Sequence, residues 1–221
     1  MVHTGRLDLS SIIAPMNVYE WCIETLLARQ RQAFCRVRDI RRIELFDGPT
    51  KNFDYVVRTP DGGLLLEIKG RQFPTSGGGV WENWVTAEDL DALETWIARF
   101  GQGFRGLLVF VYRHRDPSVP PGRAWTPFDV DGTPYGIVAC DVAEYRSLCR
   151  QRSASWGTVT VRRREFTQLV RPFSEFLPPG TVDPRPTADN DATDAEDADV
   201  GDWFPAGTLN NSTTSSGPRR K

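Results

Sequence analysis

The stretch from Lys51 to Arg71 constrains this chain more than any other. It reads KNFDYVVRTPDGGLLLEIKGR, two β-prone runs, Phe53 to Arg58 and Leu64 to Lys69, on either side of Thr59-Pro60-Asp61-Gly62-Gly63. Proline presets one turn dihedral there and the glycines accept positive φ, so the spacing predicts a β-hairpin. With Pro60-Asp61 at the tip, Phe53, Tyr55 and Val57 fall opposite Ile68, Leu66 and Leu64 on one apolar face, because side chains alternate with period two. The same register sets Asp54 across from Glu67 on the other face, with Lys69 two residues along, and directly opposed Cβ atoms lie only about 4.5–5.5 Å apart. Two facing carboxylates are destabilising without a compensating cation, here Lys69 or a bound metal. A hard divalent ion suits the pair, since Mg²⁺ takes one or two carboxylates plus waters and phosphate oxygens. The plainer alternative is an exposed strand face with a Glu–Lys ion pair of little energetic weight.

An Asp entering one strand and Glu67-Ile68-Lys69 closing the next resembles the PD-(D/E)XK nuclease superfamily, which includes restriction endonucleases and archaeal-type Holliday junction resolvases. Upstream, Tyr19-Glu20-x-x-Ile23-x-x-x-Leu27 is similar to the first helix of those folds, which in several branches carries a further acidic residue. Residues 51–85, including Trp81-Glu82-Asn83-Trp84-Val85, resemble a narrower bacterial group named after a HYExxE motif. This chain departs from that group in reading Val18-Tyr19-Glu20-Trp21-Cys22-Ile23-Glu24, with no leading His and the second Glu one position later. Phe53 also stands where a proline often precedes the first Asp.

The resemblance covers residues 17–112 and implies an α/β, restriction-endonuclease-like core: helix, three strands, helix, strand, with a mixed central sheet flanked by helices. It implies a metal-dependent nuclease in which Asp54, Glu67 and the carbonyl of Ile68 hold Mg²⁺ or Mn²⁺. Glu20 is expected to assist from the first helix as a further ligand, and Lys69 to position or help deprotonate the attacking water. Lys51, Arg71 and Gln72 are the expected substrate contacts, with nucleic acid, DNA first, as the partner and a homodimer compatible with the family. The alternative is a catalytically inactive module of the same fold that binds nucleic acid or protein, because a fold alone does not certify activity.

The 221 residues accommodate one domain of usual size plus a tail. The expected division is a flexible leader at 1–15, the nuclease-like domain at 16–177 and a disordered acidic tail at 178–221. No apolar run approaches the length of a membrane span and no signal peptide is legible, so the expectation is a cytoplasmic protein. Cys22, Cys35, Cys140 and Cys149 lack zinc-type spacing and read as reduced thiols. Two histidines, His3 and His114, leave little for His-based zinc or triad chemistry. Lysine occurs only at Lys51, Lys69 and Lys221, so two of three flank the carboxylate pair in a chain that otherwise uses arginine. An ammonium is compact and its pKa shifts on desolvation, which a guanidinium does not offer.

From Asn17, a plausible N-cap, an amphipathic helix runs to about Gln32, with Glu20 and Glu24 on one face. A strand is expected over 33–37, followed by an irregular connection through Arg38, Arg41 and Arg42. Ser76-Gly77-Gly78-Gly79 reads as a loop. Thr86-Ala87-Glu88-Asp89 resembles a capping box opening a helix whose Leu90, Leu93, Trp96, Ile97 and Phe100 recur at helical spacing and which stops at Gly101. Trp81 and Trp84 read as packing residues. Residues 107–112 predict a buried central strand, 117–127 a proline-rich excursion, 135–140 and 158–161 further strands, and 142–150 and 164–170 helices. Residues 183–221 hold eight acids and four bases, so the body to Val182 carries plus two against the whole chain's minus two. Arg113, Arg115, Arg146, Arg150, Arg152 and Arg162 to Arg164 are its candidate phosphate contacts.

Overall fold

A computed structural model describes residues 17–37, 42–45, 48–73, 81–114, 125–130 and 132–179. The expected leader, the glycine run at 77–79 and the tail beyond residue 179 lie outside these.

Helix α1 (Val18–Arg29) opens where Asn17 Oδ1 accepts the Tyr19 N–H at 3.1 Å, the cap expected from the sequence. Its buried stripe is Cys22, Ile23, Leu26 and Leu27. The chain then forms β1 (Phe34–Arg36), the hairpin β2 (Arg42–Leu45) and β3 (Gly48–Lys51), and the central hairpin β4 (Tyr55–Thr59) and β5 (Gly62–Gln72). A short strand, β6 (Val85–Thr86), leads into α2 (Ala87–Phe100), and β7 (Phe104–Arg113) follows. The rest comprises β8 (Thr126–Val130), β9 (Thr133–Asp141), α3 (Val142–Leu148), β10 (Arg150–Ser153), β11 (Thr158–Thr160), α4 (Arg163–Leu169), β12 (Arg171–Pro172) and a 3-10 turn, Phe173–Glu175.

The main sheet runs β1-β4-β5-β7-β9-β12, with β8 also on β9. Every neighbour is antiparallel except β5 and β7, which run parallel over ten residue pairs from Gly63–Phe104 to Gln72–Arg113. A parallel pair needs a crossover, and α2 supplies it. The core is therefore the expected mixed sheet with helices on both faces, in the expected order of helix, three strands, helix and strand, with β2–β3 inserted before the central hairpin.

The hairpin register is the one the turn predicts, Tyr55 opposite Leu66 and Val57 opposite Leu64. These four pack on Cys22, Ile23, Leu26 and Leu27 of α1, together with Leu107, Val109 and Val111 of β7. The other face is covered as well: Val56 and Leu65 are buried, and α2 lies over β5 and β7. Phe53 departs from the expected alternation. It packs edge-on against Trp96 and Phe100 of α2, because the chain bends at Asp54 before β4 begins.

Three further expectations are corrected. Arg42 lies not in an irregular connection but in β2, paired with Lys51. The proline-rich excursion ends in strand β8, where Pro127 is tolerated on the outer edge of β9. Residues 149–150 leave α3 at Leu148 and start β10, which joins β11 and β6 in a second, three-stranded sheet. At the C-terminal end Leu177 is buried and the Pro178 carbonyl accepts Gln32 Nε2 at 2.9 Å.

Candidate active site

Along β5, residues 64, 66, 68 and 70 face α1, whereas 65, 67, 69 and 71 face α2. Glu67 and Lys69 thus project toward the first turn of α2, and Asp89 meets them there. Lys69 Nζ donates to Glu67 Oε1 at 2.7 Å and pairs with Asp89 Oδ2 at 2.8 Å. Lys51, at the end of β3, donates to the same Glu67 oxygen at 3.2 Å and to Asp89 Oδ1. Trp96 Nε1 fixes the Lys51 carbonyl at 2.8 Å and so holds this lysine against α2. The network is enclosed: side-chain exposure is 2% for Asp89, 7% for Glu67, 14% for Lys69 and 33% for Lys51. It is not the exposed ion pair of the plainer alternative.

Asp54 stands in the bend before β4, one step beyond the Tyr55–Leu66 pair and therefore opposite Glu67. Its N–H donates to the Leu66 carbonyl at 2.8 Å, and its Oδ2 accepts the Ile68 N–H at 2.6 Å. A strand residue's N–H and C=O leave on the same side, so the Ile68 carbonyl opens toward the same gap. Burial pushes the Asp54 carboxyl up to about 7, with the charge of Glu67 and, more weakly, Glu20 adding to it and the Ile68 N–H and Lys69 opposing. Burial would draw the Lys51 ammonium down, but Glu67 and Asp89 outweigh it and hold it above its ordinary range. Burial would likewise raise Asp89, yet Lys69 and Lys51 keep it well below the usual carboxylate range. Three carboxylates thus lie around two ammonium groups, with Asp54 raised and Asp89 lowered.

The remaining residues singled out by the sequence are placed differently. Glu20 Oε2 accepts from Arg36 at 2.6 Å, and Arg36 also approaches Glu24 at 3.8 Å, whose Oε1 takes the Tyr55 hydroxyl at 2.9 Å. Both α1 carboxylates are drawn toward Arg36, and Glu20 reaches Asp54 through charge rather than as one of a gathered set. Gln72 lies on the α1 side, its Nε2 donating to the Tyr19 hydroxyl at 3.1 Å. The Tyr19 ring lies on Gly70, where a Cβ would come within 2.1 Å of it. Arg71 is taken into the scaffold: it donates to the Gly70 and Trp84 carbonyls, and its guanidinium sits 4.1 Å over the Trp84 ring. Lys51, expected to contact substrate, takes part in the ion network.

Asp89 was legible only as a helix cap. Its Oδ2 accepts the Thr86 N–H at 2.9 Å while Thr86 Oγ1 accepts the Asp89 N–H at 3.0 Å, a complete capping box. A cap accounts for the residue so fully that nothing in the sequence points to its second task.

Among the described residues no three His, Cys, Asp or Glu side chains converge as for a metal ion. The donors that do face one gap, the Asp54 and Glu67 carboxylates and the Ile68 carbonyl, are hard oxygens. Burial, with the charge of Glu67 added, raises the Asp54 pKa, and a divalent cation would offset both. Two carboxylates with the rest supplied by water and phosphate is the donor set Mg²⁺ accepts, so the residues fit the ion, with Glu20 outside the set. No helix among the described residues is long and apolar enough to cross a membrane.

No protein-family model matches the chain, so the likeness to the HYExxE group rests on its motifs alone. No curated protein matches it either. Among solved structures the chain is similar to Hjc, a Holliday junction resolvase of Archaeoglobus fulgidus, with 11% identity over 72% of this chain and 95% of that one and a TM-score of 0.43.

Proposed function

We propose that this protein is a divalent-metal-dependent nuclease that hydrolyses phosphodiester bonds of nucleic acid, with DNA the first substrate to test. The observation that carries the reading is the opposed pair of half-buried Asp54 and buried Glu67 beside Lys69, with Asp54 raised to about 7. Mg²⁺ or Mn²⁺ held by Asp54, Glu67 and the Ile68 carbonyl would lower the pKa of a bound water and offset charge on the phosphate. Lys69, fixed between Glu67 and Asp89, keeps a compact donor at a set position beside the carboxylates. Lys51 balances Glu67 and Asp89 from the β3 side and leaves Lys69 less encumbered. Glu20 acts at a distance, by its charge on Asp54.

Cleavage of plasmid and oligonucleotide by the unaltered protein, Asp54→Asn and Glu67→Gln, with circular dichroism on each, tests this. Both variants are expected to fold and to lose metal-dependent cleavage, and undiminished cleavage in either removes the assignment. One observation favours the inactive-module reading. Glu67 Oε1 already accepts from both lysines, so the network is satisfied without a metal. Unaltered protein that neither binds Mg²⁺ by calorimetry nor cleaves would decide for that reading.

A further inference from the structure

The loop between β10 and β11 carries Trp156, which is 79% exposed, whereas the next most exposed large hydrophobic among the described residues, Leu148, is at 41%. The turn that presents it is locally fixed. Gly157 N–H donates to the Ala154 carbonyl at 3.2 Å, Gly157 adopts φ +58°, which favours glycine, and the Ser153 and Ser155 hydroxyls meet at 3.1 Å. The turn fixes the backbone from which the indole projects, which removes part of the ordering cost of a contact made there.

The hairpin is also pinned to the helix start that holds Asp89. Ala87 N–H donates to the Gly157 carbonyl at 2.8 Å, and Thr158 and Val159 pair with Thr86 and Val85. Trp156 is thus one residue from an anchor on the capping box whose Asp89 grips Lys69. Positive charge connects the two. The register slips between Gln151 and Ser153, leaving Arg152 as the extra residue of a bulge, and its guanidinium lies 5.2 Å over Trp84. The same ring carries Arg71, two residues along β5 from Lys69. Arg150 and Arg152 are exposed before the turn, and Arg162, Arg163 and Arg164 after β11.

A single exposed indole, in a segment whose Arg150, Arg152 and Arg162 to Arg164 are also exposed, does not form the contiguous apolar patch of a protein-docking face. It fits a polyanion that offers flat faces: phosphates for the guanidiniums and a base for the ring, the pairing used by single-strand binders. We propose that the β10–β11 hairpin is the substrate-reading element of the nuclease site, with Trp156 stacking on an unpaired base and the flanking arginines on the adjoining phosphates. This rests on the nuclease reading for its purpose, but binding and cleavage are measured apart.

The test is the affinity of the full chain, without divalent metal, for a labelled single-stranded thymidine oligonucleotide and for the same strand with abasic sites. Trp156→Ala is expected to weaken binding to the intact strand about tenfold or more, the range of one lost base stack. Trp156→Phe should stay within a few-fold of the parent, and the abasic strand should erase the difference between parent and Trp156→Ala. Equal affinity of parent and Trp156→Ala overturns the proposal, as does a loss that is the same in both variants and persists on the abasic strand. No binding by the parent overturns it too. Weakened binding by Trp156→Ala in a protein that never cleaves would instead sink the nuclease reading and leave the hairpin's role standing.

Discussion

Lys69 and Asp89 meet at 2.8 Å across the boundary between sheet and helix, and the Asp89 oxygen that receives the ammonium also receives the Thr86 amide. One carboxylate therefore starts a helix and holds a lysine at the candidate site.

The two tasks separate by mutation. Thr86→Ala removes a cap and is expected to cost about 1 kcal/mol. Asp89→Asn keeps an acceptor for the Thr86 amide but leaves two lysines without this anion, and a cost of about 2–4 kcal/mol is expected, as for one partner lost from a largely buried pair. Urea unfolding of both variants measures it. An Asp89→Asn cost no larger than that of Thr86→Ala would show the lysine contacts to be energetically idle.

Asp54 sets a pH dependence whose sign follows from its shift. Its pKa rises from 3.8 to about 7 on folding, so its contribution to stability is fully present below pH 3.8 and is lost as pH rises through about 7. Asp54→Asn is uncharged throughout. The variant is expected to gain melting temperature relative to the parent as pH is raised from 5 to 8, and the parent alone should be stabilised by Mg²⁺ at pH 8. Parallel melting curves for the two proteins across this range would contradict the shift.

Lys69→Arg asks whether the ammonium merely balances charge. A guanidinium pairs well with carboxylates, but Lys69 sits in an enclosed network at 14% exposure, and the bulkier fork must displace whatever lies beside it. The variant is expected to fold and bind Mg²⁺ yet cleave on the order of a hundredfold more slowly, the scale of a misplacement by about 1 Å. Single-turnover cleavage at saturating metal reads this out, and a rate within a few-fold of the parent would assign Lys69 to charge balance alone.

Gly70→Ala tests the α1 side. Its Cβ would fall 2.1 Å from the Tyr19 ring, forcing the ring away and breaking the Gln72–Tyr19 bond. A loss of about 1–3 kcal/mol is expected, measured by urea unfolding, and a neutral result would mean that α1 yields freely at this end.

The hairpin was legible because proline and two glycines fix its turn, and the turn fixes the pairing of every residue from Tyr55 to Leu66. Asp54 and Glu67 came with that register. What the sequence could not convey was the cover on their face: alternation marks which residues share a side, not that a helix starting at Ala87, well downstream of Glu67, closes over it. The ion pairs of Lys51 were out of reach for the same reason, since its partners Glu67 and Asp89 are distant in the chain. Phe53 broke the expected alternation because a bend at Asp54 releases it from the ladder; Asn52 and Asp54 are bend-prone types, but the apolar alternation from Phe53 to Val57 outweighs them in the sequence. Strand β10 was missed because its residues, Arg150 to Ser153, are polar and half of them arginine, and β-propensity gives no signal there.

Strand β5 is bonded on both sides for much of its length, to β4 and, over ten pairs, to β7. Amides in such a strand exchange with solvent only when most of the molecule opens, whereas a hairpin held at its root by two short strands opens on its own. Glu67 and Lys69 are thus carried by the slowest-exchanging part of the fold and Trp156 by one of the faster. Heat or denaturant should therefore release the tryptophan loop first and disperse the carboxylates only in the final, global transition.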